Sequence, residues 1–289
     1  MSERVSLFGG RFLDLSATLV MGILNVTSDS FYQASRTPNV DDALRRALQM
    51  ADEGADIIDI GAESTRPGSL GVDELTELAA LIPIVRALRE ERPSMPISVD
   101  TRHALAAAAA IDAGADIVND VSALKLPGEA VRMKDLIASS GAAYVLMHTT
   151  GTPDVMQKSA QYTDLLSELM EFFASSVLMM TQAGVRREQI IIDPGLGFGK
   201  RAEDNLTIMA NLDAFESLGL PMLIGASRKG FIGAVQGDDS RDSPSERLEG
   251  TLALSALSAL AGVNIVRVHD VKPNRRVVDM VMAVKRRRM

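Results

Sequence analysis

The stretch "AIDAGADIVND" at residues 110–120 shows the pattern that decides the fold: a helix-like segment, a glycine, and a short apolar run ending in polar residues. A glycine just past a helix can adopt the left-handed conformation that ends it, and a short Ile/Val run fits a strand buried on both faces. The pattern recurs in "ADEGADIIDIG" (51–61), "SSGAAYVLMH" (139–148), "QAGVRREQIIID" (182–193) and "LAGVNIVRVH" (260–269). The chain is therefore predicted to repeat a βα unit.

Eight buried strands are predicted along the chain. They lie at 18–25, up to Gly61, and at 97–100, 116–120, 142–148, 190–193, 221–227 and 264–269. Eight βα units is the number that closes a (β/α)8 TIM barrel, an α/β fold. An open doubly wound sheet stays the alternative, because the number of strands does not establish closure. The uniform strand character, without antiparallel alternation, favours the barrel.

The first residues follow a different pattern. The segment "RVSLFGGRFLDLS" (4–16) predicts two short strands around a pair of turn glycines, which suits a hairpin. The 289 residues are 46% hydrophobic and contain no Pro-, Ser- or Gly-rich linker. This favours one domain over 1–289, with the hairpin in 1–16 and the barrel in 18–289, over two smaller domains. A helix starting near Asp73 contains Pro83, where we expect a kink or a break.

Composition argues against several classes of function. The formal net charge of -8 does not suit a surface that binds nucleic acid. A chain without Cys forms no disulfide, no thiolate metal site and no thiol nucleophile. No run approaches the ~18 to 20 apolar residues of a membrane span, so we expect a cytoplasmic protein with neither membrane nor nucleic acid as a partner.

Polar residues stand where the predicted strands end, at the edge of a parallel sheet that binds ligands. They are Asn25, Asp100, Asn119, His148, Asp193, Ser227 to Lys229, Arg267 and His269, with Met147 beside them. Any one of them could instead be a helix cap, a loop hydrogen bond or a solvated charge. Because nearly every strand end carries such a residue, we predict that they converge on one mouth.

The chemistry of this set divides into two parts. Asp100, Asn119 and Asp193 with Lys229 would supply the acceptors and donors that suit a flat heterocycle with amino and carbonyl edges. Arg267 and His269 are two residues apart on one strand, so they point the same way and suit a phosphate or diphosphate. Asn25 could supply an oxygen ligand to Mg²⁺, an ion that keeps most of its waters and bridges phosphate oxygens.

The glycine-rich stretch "GLGFGK" (195–200) is not a nucleotide-binding motif. It has too few residues between its glycines for a P-loop, and Arg201 replaces the required Ser or Thr. We expect a loop that passes close to the ligand, with Phe198 covering a ring. The chain also lacks a serine hydrolase elbow, and its three His residues are too far apart for a zinc helix.

Taken in order, seven motifs resemble the dihydropteroate synthases, a family of pterin-binding barrels. They are "MGILNVTSDSF" (21–31), "GADIIDIGAESTRPG" (54–68), "SVDT" (98–101), "IVNDVS" (117–122), "DPGLGFGK" (193–200), "ASRKGFIG" (226–233) and "RVHDV" (267–271). The resemblance implies condensation of 6-hydroxymethyl-7,8-dihydropterin diphosphate with 4-aminobenzoate to 7,8-dihydropteroate and diphosphate. It also implies a dissociative, Mg²⁺-assisted mechanism and a homodimer.

The resemblance also assigns roles to individual residues. It implies pterin binding by Asp100, Asn119, Met147, Asp193, Phe198 and Lys229, and diphosphate binding by Asn25, Thr65, Arg267 and His269. It implies a 4-aminobenzoate site formed by Thr27, Phe31, Thr65, Arg66, Pro67, Phe198 and Ser227, and Mg²⁺ held through Asn25. Asp100, Asp193, Lys229, Arg267 and His269 would be the catalytic residues.

The first loop departs from the family pattern. Ser28 stands where the family usually has Pro, and Gln33-Ala34-Ser35 where it commonly has Asp-Gly-Gly. These changes alter the stiffness and reach of a loop, which affects the aminobenzoate site and sulfonamide tolerance. Two alternatives stay open: a methyltetrahydrofolate-binding methyltransferase of the same barrel group, and a catalytically silent pterin-binding paralogue.

Overall fold

The computed structural model describes residues 4–26, 40–62, 73–126, 128–150, 161–237 and 243–287. Its first two strands, β1 (Arg4–Ser6) and β2 (Phe12–Asp14), pair antiparallel, as the sequence predicts. The turn between them contains Gly9 and Gly10, both in the left-handed region with φ of +72° and +76°. The predicted hairpin is confirmed.

Eight parallel strands follow. They are β3 (Leu19–Asn25), β4 (Ile57–Gly61), β5 (Ile97–Asp100), β6 (Ile117–Asp120), β7 (Ala143–Met147), β8 (Ile190–Asp193), β9 (Leu223–Ile224) and β10 (Ile265–Val268). Neighbours pair in the order β8-β7-β6-β5-β4-β3-β10-β9. A parallel bridge between Ile192 and Met222 joins the two ends of this order, and the Ile192 N–H donates to Pro221 at 2.9 Å. The predicted (β/α)8 barrel is confirmed, and its closure removes the open-sheet alternative.

Helices alternate with the strands. They are α1 (Val40–Asp52), α2 (Glu74–Glu91), α3 (Ala104–Ala113), α4 (Glu129–Ser140), α5 (Leu165–Gln182), α6 (Ala202–Ala210), α7 (Gly230–Gln236), α8 (Leu248–Leu260) and α9 (Val271–Lys285). Asp73 caps α2 by accepting from the Thr76 N–H at 3.1 Å. Of the predicted kink or break at Pro83, the break is wrong, because α2 continues through Pro83 while packed against the barrel. None of the described helices is long and apolar enough to cross a membrane.

The half of the barrel interior nearest the start of the strands is mainly apolar. One buried cluster joins Met21, Ile57, Ile117, Ala143, Val145, Ile191, Leu223 and Ile265 to Val5, Leu7, Leu13 and Leu15 of the hairpin segment. The hairpin therefore packs against the end of the barrel where the strands begin. A larger buried cluster fills the space between the strands and the helices. Inside the barrel, the buried carboxylates Asp59, Asp100 and Asp193 lie above the apolar layer, toward the carboxyl end.

Candidate active site

Polar residues occupy the inward positions directly above the apolar layer. Side chains alternate along a strand, so the inward residue after Ile57 is Asp59, and the one after Ile265 is Arg267. The strand register places Asp100 beside Asn119 and Met147 beside Asp193. The structure thus brings together the four strand residues predicted to bind pterin.

Arg267 is tied to two carboxylates at this level. Its Nε donates to Oδ2 of Asp59 at 2.6 Å, and Nη2 donates to Oδ2 of Asp100 at 2.7 Å. Burial opposes the guanidinium charge, but Asp59 and Asp100 outweigh it and raise the pKa of Arg267. The predicted diphosphate ligand therefore stays charged and points into the barrel mouth.

Asp59 is a site residue that the sequence analysis missed. Its side chain is fully buried and accepts from both Arg267 and Nδ2 of Asn119, the latter at 3.2 Å. The other predicted ligands stand at or near the ends of strands, whereas Asp59 lies in the middle of "IIDIG". A lone carboxylate inside a strand buried on both faces was the available signal, since such a group needs a partner.

Asp193 and Lys229 face the same space as Arg267. Gly225 is the inward residue of the next strand, and a Cβ built there would lie 4.0 Å from both Asp193 Oδ2 and Arg267 Cβ. Burial raises the pKa of Asp193, although the Gly195 N–H, donating at 2.8 Å, and the nearby Lys229 charge oppose the rise. Burial and Arg267 lower the pKa of Lys229 to about 8, with Asp193 acting in the opposite direction. A carboxylate and two cations therefore lie close together at the mouth.

The loop after β8 lies against this group of charged residues. Phe198 packs with Met147 and Val121, and the Lys229 ammonium lies 4.0 Å from the centre of its ring. Gly197 has φ of +78°, and a Cβ there would come within 3.1 Å of Lys229 Cδ. Gly197 of "GLGFGK" thus allows close approach of the loop backbone to the Lys229 side chain.

Ser227 and His269 form a second polar pair at the mouth. The Ser227 hydroxyl oxygen accepts from the His269 backbone N–H at 3.1 Å and lies 3.0 Å from Nδ1 of the ring. The hydroxyl can donate to Nδ1 of the Nε2–H tautomer or accept from Nδ1 of the other tautomer. Burial and the Arg267 charge lower the pKa of His269 to about 4, so the ring is neutral at pH 7.

A strained residue separates Ser227 from Lys229. Arg228 has φ of +55°, a value that non-glycine residues seldom adopt. Asp270 holds its guanidinium with two hydrogen bonds of 2.8 and 2.7 Å, and Thr251 accepts from its backbone N–H at 3.0 Å. The Arg228 side chain therefore pairs with Asp270, which begins the link to α9.

His148 does not join the mouth, contrary to expectation. The strand alternation that turns Met147 inward turns His148 toward the helices, where its ring meets Phe172 edge to face at 4.9 Å. Lys200, which the sequence analysis did not single out, lies 3.0 Å from Nδ1 of this ring. Burial and the Lys200 charge lower the pKa of His148 to about 2.

Asn25 ends β3 with Gly61 as its neighbour on β4, at the carboxyl end of the barrel. Within the described ranges, no group of three or more His, Asp or Glu residues is placed to hold a metal ion. The other residues of the predicted diphosphate and aminobenzoate sites lie outside the described residues. They are Thr27, Phe31, Thr65, Arg66 and Pro67, together with the departures at Ser28 and Gln33-Ala34-Ser35.

The structure is a closed parallel barrel whose mouth combines buried carboxylates with an amide and cations. The family model for pterin binding enzymes matches residues 21–269, and the chain belongs to that class. It is 44% identical to dihydropteroate synthase of Synechocystis sp. over 255 residues, 88% of this chain and 86% of the relative.

Two solved structures of Xanthomonas albilineans dihydropteroate synthase are also similar. The structure with 4-aminobenzoic acid is 38% identical, with a TM-score of 0.88 over 99% of both chains. The complex with 7,8-dihydropteroate is 36% identical, with a TM-score of 0.84 over 97% of this chain and 98% of that one. Within the pterin-binding class, the chain is a member of the dihydropteroate synthase family of transferases.

Proposed function

We propose that the chain condenses 6-hydroxymethyl-7,8-dihydropterin diphosphate with 4-aminobenzoate, releasing diphosphate and 7,8-dihydropteroate. The observation that carries this proposal is the grouping of Asp193, Arg267 and Lys229 around Gly225 at the barrel mouth. The carboxylate side of this group suits a heterocycle, and the Arg267 side suits a departing anion. The related X. albilineans structures with 4-aminobenzoic acid and with 7,8-dihydropteroate support the same reaction.

The pterin would bind between the carboxylates and Lys229. The carboxylates of Asp100 and Asp193 accept from the amino and ring N–H groups of such a ring. The Lys229 ammonium, with a pKa of about 8, is mostly charged at pH 7 and donates to the oxo group. Met147 and Phe198, packed together at the mouth, would line the faces of the ring.

Arg267 and His269 would hold the diphosphate. Arg267 carries a fixed positive charge, and neutral His269 would offer an Nε2–H donor in the tautomer whose Nδ1 accepts from Ser227. The C–O bond to diphosphate breaks with its electron pair, so negative charge grows near Arg267 and positive charge grows on the dihydropterin methylene carbon. Carboxylates near the ring stabilise that cation. The arylamine lone pair then forms the C–N bond and the nitrogen loses a proton to solvent, so no strong base is required.

Asn25 would hold Mg²⁺ together with the substrate diphosphate. Mg²⁺ is bound in proteins through few side-chain oxygens, with waters and phosphate oxygens completing its octahedron. A single amide oxygen at the mouth, without a cluster of acidic or histidine ligands among the described residues, fits that donor set. The ion would neutralise charge on the leaving diphosphate.

The test is a coupled assay of diphosphate release with purified protein, Mg²⁺ and the dihydropterin diphosphate. We expect release that matches consumption of 4-aminobenzoate and formation of 7,8-dihydropteroate. Bound pterin without any turnover would favour the silent paralogue. Methyl transfer from methyltetrahydrofolate to a corrinoid protein would favour the methyltransferase.

The proposed homodimer would form through the last two helices. Four apolar residues of α8 and α9 are exposed: Leu257 (51%), Leu260 (47%), Met280 (67%) and Val284 (46%). Two adjacent helices with an exposed apolar face suit a partner surface. Light scattering after gel filtration should give twice the chain mass of 30.9 kDa, and Met280→Lys should shift it toward the monomer. A monomeric wild-type protein would refute this assembly.

A further inference from the structure

The geometry points to Asp59 as a positioning residue that sets which end of the Asn119 amide faces the pterin and where the Arg267 guanidinium lies. This inference rests on the proposed function. Asp59 lies deeper in the barrel than the bound substrate would, and it acts through Asn119 and Arg267 without touching the substrate. The role would be to make the mouth selective for the donor edge of the dihydropterin.

Asp59 connects the two parts of the site through one atom. Its Oδ2 accepts from Arg267 Nε at 2.6 Å and from Asn119 Nδ2 at 3.2 Å. Its strand, β4, lies beside neither β6, which carries Asn119, nor β10, which carries Arg267. Asp59 therefore reaches across the barrel interior to link a predicted pterin ligand to a predicted diphosphate ligand.

The contact with Asp59 decides the orientation of the Asn119 amide. An ionised carboxylate only accepts hydrogen bonds, so the NH₂ end of the amide must face Asp59. The carbonyl oxygen of Asn119 is then on the other arm of the amide, available to a ligand as an acceptor. With the carboxylates of Asp100 and Asp193, it would form a row of acceptors for the amino and ring N–H donors of a pterin. A flipped amide would set an NH₂ group against those donors.

Asp59 also restricts Arg267. With Nε bonded to Asp59 and Nη2 bonded to Asp100, the planar guanidinium is held by two carboxylates. Nη1 and the second hydrogen of Nη2 are left to donate to a diphosphate. A single carboxylate would leave the group free to rotate about the remaining contact, so Asp59 defines where the anion binds.

Stability alone does not explain Asp59. Its Oδ1 is buried and has no hydrogen-bond partner among the described residues, and the same holds for the hydroxyl of Ser98, its neighbour in the strand register. A buried polar atom without a partner destabilises the folded state. A purely structural residue at this position would be apolar, like Ile57 one inward step below. The carboxylate is instead explained by the Asn119 amide and the Arg267 guanidinium, which it orients.

The experiment compares Asp59→Asn with Asp116→Asn. Asp116 is an equally buried carboxylate that pairs with Arg89 at 2.7 Å and with Arg11. It directly precedes β6, at the end of the barrel away from the mouth. Both variants replace a buried, arginine-paired carboxylate by an amide, so both should lower the melting temperature. The readouts are KM for each substrate, kcat, and Kd for 6-hydroxymethyl-7,8-dihydropterin, a probe without the diphosphate.

We expect Asp59→Asn to raise Kd for the probe and KM for the dihydropterin diphosphate by roughly 10-fold. The neutral amide accepts more weakly than the carboxylate, and its NH₂ end can also face Asn119, so the Asn119 amide is held less firmly in one orientation. KM for 4-aminobenzoate should change less than about threefold. Asp116→Asn should leave all three constants within about threefold. The same loss in both variants, or equal changes in KM for the two substrates, would overturn the inference.

A second variant restores the hydrogen bond with its direction reversed. In the combination of Asp59→Asn with Asn119→Asp, the new amide donates to the new carboxylate, whose other oxygen faces the ligand as an acceptor. The net charge is unchanged, so this protein should fold even if the single variant does not. Kd for the probe should return to within about threefold of wild type, while KM for the diphosphate ester stays raised because Arg267 loses its Nε partner charge. A Kd as weak as that of Asp59→Asn would contradict the positioning role.

Wild-type turnover is measured first, so that a failure of the proposed function can be distinguished from a failure of the positioning role of Asp59. A wild-type protein that binds the probe but forms no dihydropteroate refutes the proposed function, and the Kd comparison still tests Asp59. A wild-type protein that turns over normally, with Asp59→Asn unchanged in probe binding, refutes only the role of Asp59.

Discussion

The ammonium of Lys200 lies 3.0 Å from Nδ1 of His148 and fastens the loop after β8 to the end of β7. It also donates to the backbone carbonyls of His148, Gly195 and Phe198 at 3.3, 3.1 and 3.2 Å. Burial, with the charges of Lys125 and Lys229, lowers the pKa of Lys200 to about 7. The last residue of "GLGFGK" thus holds the loop that carries Phe198.

We predict that Lys200→Met destabilises the protein and weakens pterin binding. The variant leaves buried carbonyls without a donor, which costs on the order of 2 to 4 kcal/mol in the free energy of unfolding. Phe198 should become less ordered, so KM for the dihydropterin diphosphate should rise about tenfold. Urea unfolding and steady-state kinetics measure the two effects. The exposed Lys272→Met is the control, and equal behaviour of the two variants would disprove the fastening role.

Acid should destabilise the fold through two histidines. Burial lowers the pKa of His148 to about 2 and that of His269 to about 4, whereas both would titrate near 6.5 in the unfolded chain. Between pH 6.5 and these values the unfolded state binds more protons, so the free energy of unfolding falls as the pH falls. From pH 7.5 to 5.5 each histidine contributes a loss of about 1.4 kcal/mol.

His148→Asn tests this dependence, because the Asn amide oxygen can accept from Lys200 in place of Nδ1. Urea unfolding of His148→Asn at pH 7.5 and 5.5 should show about half of the loss in free energy of unfolding that the two histidines cause in the wild type. A variant whose stability falls as steeply as that of the wild type would exclude His148 as a source.

The alternation of side chains explains what the sequence could and could not predict. Strand composition placed β5 and β8 at their observed bounds, and the glycine signals placed the helix ends at Gly114 and Gly141, both left-handed in the structure. Strands buried on both faces do not alternate polar and apolar residues. The sequence therefore does not show which residues of each strand face the barrel interior. The polar residue at the end of each strand was predicted to face the mouth, which wrongly included His148 and omitted Asp59.

Long-range contacts account for the other errors. The seventh strand is only Leu223–Ile224, shorter than predicted over 221–227, and its side toward β8 has a single bridge, from Met222 to Ile192. Lys200 could not be recognised because its partners are backbone carbonyls, which any sequence supplies. Pro83 breaks nothing because α2 is held along its length by packing, an influence stronger than local propensity.

Lys229→Met should abolish useful pterin binding while leaving the fold intact. Met preserves the length of the side chain and its packing on Phe198, but removes the donor for the oxo group. We expect KM for the dihydropterin diphosphate to rise more than about 100-fold, since an unpaired polar group in a site is strongly rejected. Calorimetry with 6-hydroxymethyl-7,8-dihydropterin measures the loss. Binding within about threefold of wild type would remove Lys229 from the pterin site.

Two glycines in the loop after β8 should respond differently to alanine. Gly195 has φ of +71°, and a Cβ there would clash with the backbone oxygen of His148, which cannot move without disturbing β7. Gly197 has a similar φ of +78°, but its Cβ would meet the Lys229 side chain, which can shift. Left-handed strain costs each variant about 1 to 2 kcal/mol, so the difference between them reports the clash.

Gly195→Ala should therefore fold poorly, losing more than about 3 kcal/mol in the free energy of unfolding. Gly197→Ala should stay folded, losing no more than about 2 kcal/mol, and should raise KM for the dihydropterin diphosphate because Lys229 is displaced. Urea unfolding ranks the stabilities, and kinetics separates the substrates. If Gly197→Ala kept its pterin KM while Lys229→Met lost it, the loop backbone would not be what sets the position of the Lys229 ammonium.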